Sequence, residues 1–573
     1  MGGRCYTIAR MRRWSETAER VAATGRTSEK VAVLADYLRS LTPADLPIAV
    51  TFLAGRPFPE RDPRTTGLGW AAIARAAEAE ADADAGALGR FYDRSSDLGQ
   101  AVHDLLQAYP RRPSGEPPAL TDVEAAFAAM AASRGVADKA GAFRSLLWRC
   151  DPLTAKYVVK VLSGDMRIGL REGHLEAAVA SAFGRPLEAV KWAGMLTGDA
   201  GQTARLARDD RLASAELTLF RPLKSMLASP AADPAEVLER LGQPVWVEDK
   251  YDGIRAQLHR REATVRLYSR DLHDISGQFP EVVAAAAGLA WDGILDGELL
   301  AWKDGAALPF QQLQARLGRK KPPAELLAEI PCIFVAFDVL ALGPGAGAAV
   351  EPLLRLPLRE RRARLDALGL AGTPGLGASN VLTAADEAEL ERHFGAARER
   401  GNEGLMVKDP ESDYSPGRRG YGWLKLKRPL ATLDCVVVGV EVGHGKRHGV
   451  LSDYTFAVLD DRPAATRPLA TIGKAYSGLT DAELAEMTRW FEAHTLERFG
   501  RYRSVEPTTV VEVAFDAIMR SGRHASGFAL RFPRIVHLRR DKTPAEIDRL
   551  STVERLHERQ GVGPRDRVES GST

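Results

Sequence analysis

Trp246-Val247-Glu248-Asp249-Lys250-Tyr251-Asp252-Gly253-Ile254-Arg255 is the stretch that decides how the chain reads. Val245 and Val247 alternate with Trp246 and Glu248, which is the period of a strand. Asp252-Gly253 is a turn signal. Ile254, Ala256 and Leu258 then alternate with Arg255, Gln257 and His259, so a second strand leaves the turn. Lys250 is thereby expected at a strand end, with Arg255 and Gln257 on a common face. A lysine is a nucleophile only as the neutral amine. That requires burial, or a nearby cation, to lower its pKa from about 10.4. The face carrying Arg255 could hold a phosphate-bearing ligand against the amine. Taken alone, the stretch also reads as a charged hairpin with a solvated lysine.

Working outward, length and composition bound the answer. A chain of 573 residues is expected to hold about three domains. With 45% hydrophobic and 27% charged residues it is globular in composition. Its net charge of +2 supplies no global field for nucleic acid, so any DNA footprint must come from local clustering. The four cysteines (Cys5, Cys150, Cys332, Cys435) form no CxxC pair, which excludes a four-cysteine zinc site. They give no disulfide framework either, as expected of a reducing cytoplasm. No run of 18 apolar residues is present, so no membrane span is expected. The opening MGGRCYTIARMRRW has arginines but no apolar signal core. It is expected to be a disordered tail, with Met11 a second candidate start.

Residues 1–215 read as helical. Val31, Leu34, Leu38 and Leu41 fall at helical spacing; Thr121 and Glu124 look like a capping box opening an Ala-rich helix. Asp151-Pro152 reads as an N-cap and first-turn proline, and Gly164 as the close of that helix. Leu175, Val179 and Phe183 mark another helix, ending at Gly184. The Ala/Asp/Glu run 76–85 is expected to be a solvated helix or loop. Residues 220–228 read as a linker.

Strand-like and helix-like segments then alternate over 216–428, as in an α+β domain. Strands are expected at Val265–Tyr268, Ile294–Ala301 (Asp296 and Glu298 on one face), Ile333–Leu340, Gly404–Lys408 and Trp423–Lys427. The last would place Trp423, Lys425 and Lys427 on one face, either meeting an anion or guarding an edge. From 429 to 573 short strands follow (Cys435–Val442, Tyr454–Leu459, Ala470–Ile472, Val510–Phe515), with a Gly/His/Lys/Arg loop at 443–449. A small Greek-key β-barrel such as an OB-fold fits that count. Residues 516–542 carry seven Arg/Lys against two acids, a net of +5, and read as a phosphate-facing surface. The end beyond Gly561 is polar and expected to be a mobile tail.

Seven pieces stand in a fixed order: KYDGIR at 250–255, YSR at 268–270, DGELL at 296–300, FVAFDVL at 334–340, EGLMVK at 403–408, WLKLK at 423–427 and LRFPR at 530–534. KYDGIR resembles the signature of the covalent nucleotidyltransferases, and the seven together resemble the ATP-dependent DNA ligases. The segment from Asp151 to Gly173, with GDMRIG at 164–169, is similar to the helical DNA-binding domain preceding the catalytic core in archaeal and eukaryotic-type members. The resemblance spans nearly the whole chain. It implies an all-α DNA-binding domain (1–215), an α+β adenylation domain (216–428) and an OB-fold domain (429–573).

The resemblance also implies roles. Lys250 attacks the α-phosphate of ATP and carries AMP as a phosphoramidate. Arg255, Lys425 and Lys427 neutralise phosphate charge. Glu298 and Glu403 suit Mg²⁺ or Mn²⁺, and Glu298 also matches a ribose contact. Phe337 matches the aromatic that stacks on adenine, Glu248 the residue that reads the adenine amino group, and Arg270 a contact to phosphates at the nick. Arg531 matches the element orienting the pyrophosphate, which requires the barrel to close for adenylylation and reopen for DNA, with a hinge near 427–433. Lys160, Arg167 and Arg171 are candidate contacts to the DNA backbone. AMP then passes to the 5′-phosphate of a nick, and the 3′-hydroxyl seals it. A cytoplasmic, nucleoid-associated monomer encircling nicked duplex DNA is implied; a sliding-clamp partner is possible in the family, but no clear clamp-binding motif occurs. Two departures stand out: Asp249, where many relatives carry another residue, and Asp271 and Asp274, whose charge could temper Arg270.

The competing readings are another covalent nucleotidyltransferase (an RNA ligase or a GTP-using capping enzyme), which the preceding helical region argues against, and a catalytically silent DNA-binding protein. An NAD-dependent ligase would bring a zinc-binding cysteine cluster that is absent. Failure to form a covalent adenylate with ATP and Mg²⁺ would favour the silent protein.

Overall fold

Apolar residues at three- and four-residue spacing wind the first part of the chain into helices. The structure is a computed structural model that describes residues 10–561, except 61, 112, 430, 444–446, 448, 464 and 466. The chain divides into two compact units, the first ending at Lys224 and the second starting at Ser225. Among the described residues the first unit holds helices and no strand. Its boundary lies beyond the expected 215 because Lys224 is tied back to Glu60 (2.8 Å) and Glu172 (2.9 Å).

The helix Pro152–Ser163 forms as expected. Asp151 accepts from the backbone N–H groups of Leu153 and Thr154, and Gly164 closes it at φ 73°. The helix Glu172–Phe183 likewise ends on Gly184. Three expectations are corrected. Residues 10–14 of the supposed tail begin a helix, Arg10–Ala23, whose Met11 and Trp14 are fully buried; the Trp14 indole N–H donates to the Ala49 carbonyl. Residues 1–9 of that tail, and 562–573 at the other end, lie outside the described residues. Much of the Ala/Asp/Glu run belongs to the helix Trp70–Ala81, with Ala76, Ala77 and even Glu78 and Glu80 buried. Alanines alternating with acids form a thin apolar face that packs closely. The helix predicted at Thr121 starts at Leu120, and Asp122 caps the Ala119 N–H (3.0 Å).

The second unit opens with strands rather than a linker. Along the chain they are β1 (Leu227–Ala231), β2 (Val245–Lys250), β3 (Ile254–Arg261), β4 (Thr264–Ser269), β5 (Asp292–Lys303), β6 (Ala306–Ala307), β7 (Cys332–Gly343), β8 (Glu351–Pro352), β9 (Leu376–Ala378), β10 (Leu382–Ala384), β11 (Gly404–Lys408) and β12 (Arg419–Lys427). They build two sheets, β1-β12-β11-β2-β10 and β4-β3-β5-β7-β8, the latter with β6 on β5 and β9 on β7. β2 and β3 therefore do not form a hairpin. At Asp252-Gly253 the chain passes from one sheet to the other, so the two sheets meet at Lys250. Gly253 is required there, because a Cβ would lie 2.5 Å from the Leu299 carbonyl and 2.8 Å from Glu298 Cγ. Val245, Val247, Leu405, Val407, Leu424 and Leu426 form the core of the first sheet; Leu258, Leu295, Phe334 and Val339 lie in that of the second. Each such buried side chain contributes about 1.5–3 kcal/mol.

The remaining strands are β13 (Ala431–Val442), β14 (Leu451–Leu459), β15 (Leu469–Ala475), β16 (Thr495–Phe499), β17 (Tyr502–Val505), β18 (Val510–Phe515), β19 (Ala517–Arg520), β20 (Phe528–Arg531) and β21 (Arg534–Leu538). β13 is the long central strand, paired with β14, β17 and β18. The C-terminal part is thus β-rich, with two helices, Asp481–Ala493 and Leu550–Gly561, that the strand count missed. None of the described helices is long and apolar enough to cross a membrane.

Candidate active site

Three adjacent strands bring the site together. In register, Lys250 on β2 faces Gly404 on β11, which faces Lys427 on β12; two residues along, Glu248, Met406 and Lys425 align. Glycine is required at 404, since a Cβ would sit 2.3 Å from the Leu426 carbonyl and 2.9 Å from the Phe394 ring. Glu403 immediately precedes Gly404, its N–H donating to the Lys250 carbonyl (2.9 Å). In the other sheet Arg255 on β3 pairs with Glu298 on β5.

The Lys250 ammonium is in an ion pair with Glu403. Burial would push the Glu403 carboxyl up, but Lys250, then Lys427 and Arg531, outweigh it and hold it below the usual carboxylate range. Glu298 goes the other way. Burial pushes its carboxyl up to about 8, and Lys250 and Arg255 only partly counter this. No set of three or more His, Cys, Asp or Glu side chains among the described residues forms a metal site by itself. Two hard carboxylates beside a lysine fit Mg²⁺ all the same, because that ion keeps waters and substrate oxygens among its ligands.

The Glu298 shift has a testable sign. The neutral form is favoured in the folded state, so without nucleotide or metal this group's contribution to stability is full below about pH 4.5 and is lost as pH rises to about 8. Glu298→Gln lacks that loss. The Tm of the variant relative to wild type should therefore climb between pH 5 and 8; a difference flat with pH would remove the shifted carboxyl.

Arg255 is held by acceptors of this chain. Its Nε and Nη2 donate to Asp296 (3.2 and 2.7 Å), Nη1 to the Met226 carbonyl (2.6 Å), and Nη2 more weakly to the Tyr414 hydroxyl (3.4 Å). Phe337, half-buried, has the Arg255 guanidinium 5.3 Å from its ring centroid and Lys408 Nζ at 4.9 Å. Glu248 and Lys408 form an ion pair at 2.7 Å, 4% and 1% exposed. The Trp423 indole N–H beside them is buried without a partner among the described residues. Tyr414 escaped the sequence reading, as did the pairing of Asp296 with Arg255 and of Lys408 with Glu248. Lys408 closes EGLMVK and Asp296 opens DGELL, so their motifs were visible while their partners were not.

The other predicted residues are placed as follows. Arg531 reaches Asp252, in the turn after Lys250, at 2.8–3.2 Å through both Nη atoms. Lys427 pairs with Asp516. Lys425, half-buried, has no ion-pair partner among the described residues, and its pKa is lowered by burial and then by Lys427, Lys250, Arg419 and Arg270. It sits in a cationic cluster of the kind an anion would fill. Arg270 is exposed, and Asp274 engages Arg266 (3.6 Å) instead of it. Asp249 is bound by Arg400 (2.7 and 2.9 Å) and Asn402 (3.0 Å).

In the helical unit, Arg167 and Arg171 are exposed at the turn 164–171, where Arg167 has φ 49° and pairs with Asp165. Lys30, buried, holds that turn through the Ile168 carbonyl (2.7 Å). Lys160 is a correction. It is buried and paired with Asp97, so it cannot present its charge to a phosphate. The +5 stretch is likewise less open than it reads. Arg539 and Lys542 are paired with Asp434, and Arg540 with Glu486. Part of the glycine-histidine loop at 443–449 lies outside the described residues.

Comparison with known proteins accords with this site. Family models match three regions: DNA ligase N terminus at 10–180, ATP dependent DNA ligase domain at 225–427 and ATP dependent DNA ligase C terminal region at 447–542. A probable DNA ligase of Opitutus terrae is 45% identical over 96% of this chain, which spans only 62% of that relative's length. A probable DNA ligase of Koribacter versatilis is 44% identical, with 98% of each chain covered. A DNA ligase of Methanocella arvoryzae is 34% identical over 94% of this chain and 96% of its own. Among solved structures, one named Pmar-Lig_PreS3 shares the fold at TM-score 0.58 and 16% identity, covering 92% of this chain and 99% of that one. With matching models over most of its length and relatives aligned from end to end, the chain belongs to the ATP-dependent DNA ligase family.

Proposed function

We propose that the protein seals 5′-phosphate/3′-hydroxyl nicks in duplex DNA using ATP, through a lysyl-AMP and a DNA-adenylate. The observation carrying this reading is the meeting of Lys250, Glu403, Glu298, Lys425 and Lys427 where the two sheets join. An amine attacks only as the free base, so the Lys250–Glu403 pair must open before attack. Mg²⁺, held by Glu298 and Glu403 with ATP oxygens, would supply charge neutralisation. Phe337 stacks on adenine, Glu248 accepts from its amino group, and Glu298 also meets the ribose. Lys425, Lys427 and Arg255 face the phosphates. The nucleophile forms a P–N bond as the P–O bond to pyrophosphate breaks.

The C-terminal domain is read as an OB-fold, with domains at 1–215 extended to 224, 225–428 and 429–573. Its Arg531, already beside Lys250's turn through Asp252, orients the departing pyrophosphate. Opening about 427–433 then admits DNA. Arg270, Arg167 and Arg171 are read as contacts to the DNA backbone, with little base reading. The protein would work as a cytoplasmic monomer around the duplex.

The test uses ATP labelled on the α-phosphate with Mg²⁺, then a chase with singly nicked DNA, with GTP and NAD as controls. Label from ATP alone that leaves as nicks are sealed supports the reading. Label that stays on the protein in the presence of DNA would redirect it to another acceptor, RNA first. Nick affinity should also fall steeply with salt. Six to ten phosphate contacts imply a loss of about 10³–10⁵-fold between 50 and 200 mM, and an affinity unchanged by salt would exclude a backbone clamp.

A further inference from the structure

We infer that Tyr414 is a positioning residue for the adenylylation step: its buried hydroxyl completes the cage that aims Arg255 at the nucleotide. This rests on the reading of Arg255 as a nucleotide contact.

Tyr414 lies in the loop between β11 and β12, outside all seven sequence motifs, and is 1% exposed. Its hydroxyl donates to Asp296 Oδ2 (2.6 Å) and accepts from the Met226 N–H (3.1 Å) and Arg255 Nη2 (3.4 Å). Asp296 is fully buried and meets Arg255 in a two-pronged contact. A guanidinium has five N–H donors. Asp296 takes two, the Met226 carbonyl one and Tyr414 one, which leaves a single N–H on Nη1 for a ligand. The direction of that one donor is set by the cage.

Asp296 alone would not fix it. A carboxylate rotates about its terminal bond, and without the Tyr414 hydroxyl Oδ2 loses its second anchor. Met226 acts on both sides, its N–H on Tyr414 and its carbonyl on Arg255. The loop carrying Tyr414 is itself pinned. Arg361, paired inside the sheet with Asp338, donates to the Ser412 carbonyl (3.1 Å), and the Tyr414 N–H donates to Leu354 (2.9 Å). The ring packs edge-on to Trp423 (5.8 Å). A rigid wall of the nucleotide site thus ends in this hydroxyl.

Tyr414→Phe keeps the ring and removes only the hydroxyl. Lysyl-AMP formation would be followed against ATP concentration, beside Arg255→Ala and the double variant, with melting curves for each. The expected result is an ATP KM raised about 5–10-fold with kcat within about twofold and Tm near wild type. The double variant should be no worse than Arg255→Ala, since the hydroxyl acts through that arginine. A Tyr414→Phe protein with wild-type KM, or one that loses only Tm and active fraction, overturns the proposal. Should Tyr414→Phe fail to fold, Asp296→Asn tests the same cage by the same KM readout, and an unchanged KM there overturns it too. If Arg255→Ala itself leaves KM unchanged, it is the reading of Arg255 that fails.

Discussion

Lys250→Ala is expected to cut lysyl-AMP formation by at least about 10⁴-fold, to the uncatalysed background. No other amine can substitute. Lys427, across Gly404, is paired with Asp516, and Lys425 lies two residues along β12. Lys250→Arg separates charge from nucleophilicity. The guanidinium can keep the pair with Glu403 but does not give up a proton, so it should be as inactive as alanine. Both variants should melt near wild type, because Lys250 is one member of a partly exposed pair and Glu403 retains Lys427 and Arg531. A pre-adenylated nick bypasses the amine as nucleophile, so measurable sealing of that substrate should survive. Labelled adenylate on Lys250→Ala above background would assign the nucleophile elsewhere.

The nucleophile was legible because its chemistry is local. One strand end, one turn and one glycine make the motif, and all three lie within ten residues. The same holds for the strands that carry Glu298, Phe337, Lys425 and Lys427, the lysines' strand being visible by its period of two and that of Phe337 by its near-continuous apolar run, with Glu403 just before Gly404–Lys408. What escaped is pairing at long range. Arg255 meets an aspartate 41 residues away, and Glu248 a lysine 160 away. Neither pair leaves a periodic trace, so both side chains read as free for a ligand when each is already held. Lys160 failed for the same reason, since Asp97 lies 63 residues upstream. The charge run at 516–542 also misled, because its local net of +5 ignores Asp434 and Glu486. The hairpin reading of 246–259 assumed that strands joined by a tight turn pair with each other. Here β2 and β3 feed different sheets, and that separation creates the site.

Lys408→Met is expected to destabilise the second unit by about 3–5 kcal/mol at neutral pH, although Lys408 carries no chemistry in the proposed reaction. Lys408 and Glu248 are among the most deeply buried charges in the chain, 2.7 Å apart. Removing the cation leaves a carboxylate in the core without compensation, and that penalty dominates. A smaller part comes from the Phe337 and Trp423 rings, whose centroids lie 4.9 and 4.4 Å from the ammonium, contributing roughly 0.5–2 kcal/mol each. Two features distinguish this from simple loss of packing. The destabilisation should shrink as pH falls, because an unpaired buried glutamate takes up a proton and ceases to be charged. Adding Glu248→Gln should restore much of the loss, since the neutral amide fills the same space without a charge. Denaturant midpoints of wild type, both single variants and the double variant at pH 5.5 and 8 check all three statements. A destabilisation that ignored pH and persisted in the double variant would show that Lys408 acts through shape alone. ATP binding adds a further arm. Glu248 is read as the acceptor for the adenine amino group, and Lys408 is the partner that holds its carboxylate in the core. Lys408→Met should therefore lose ATP affinity even where it remains folded, and most at the lower pH, where its stability is nearest wild type.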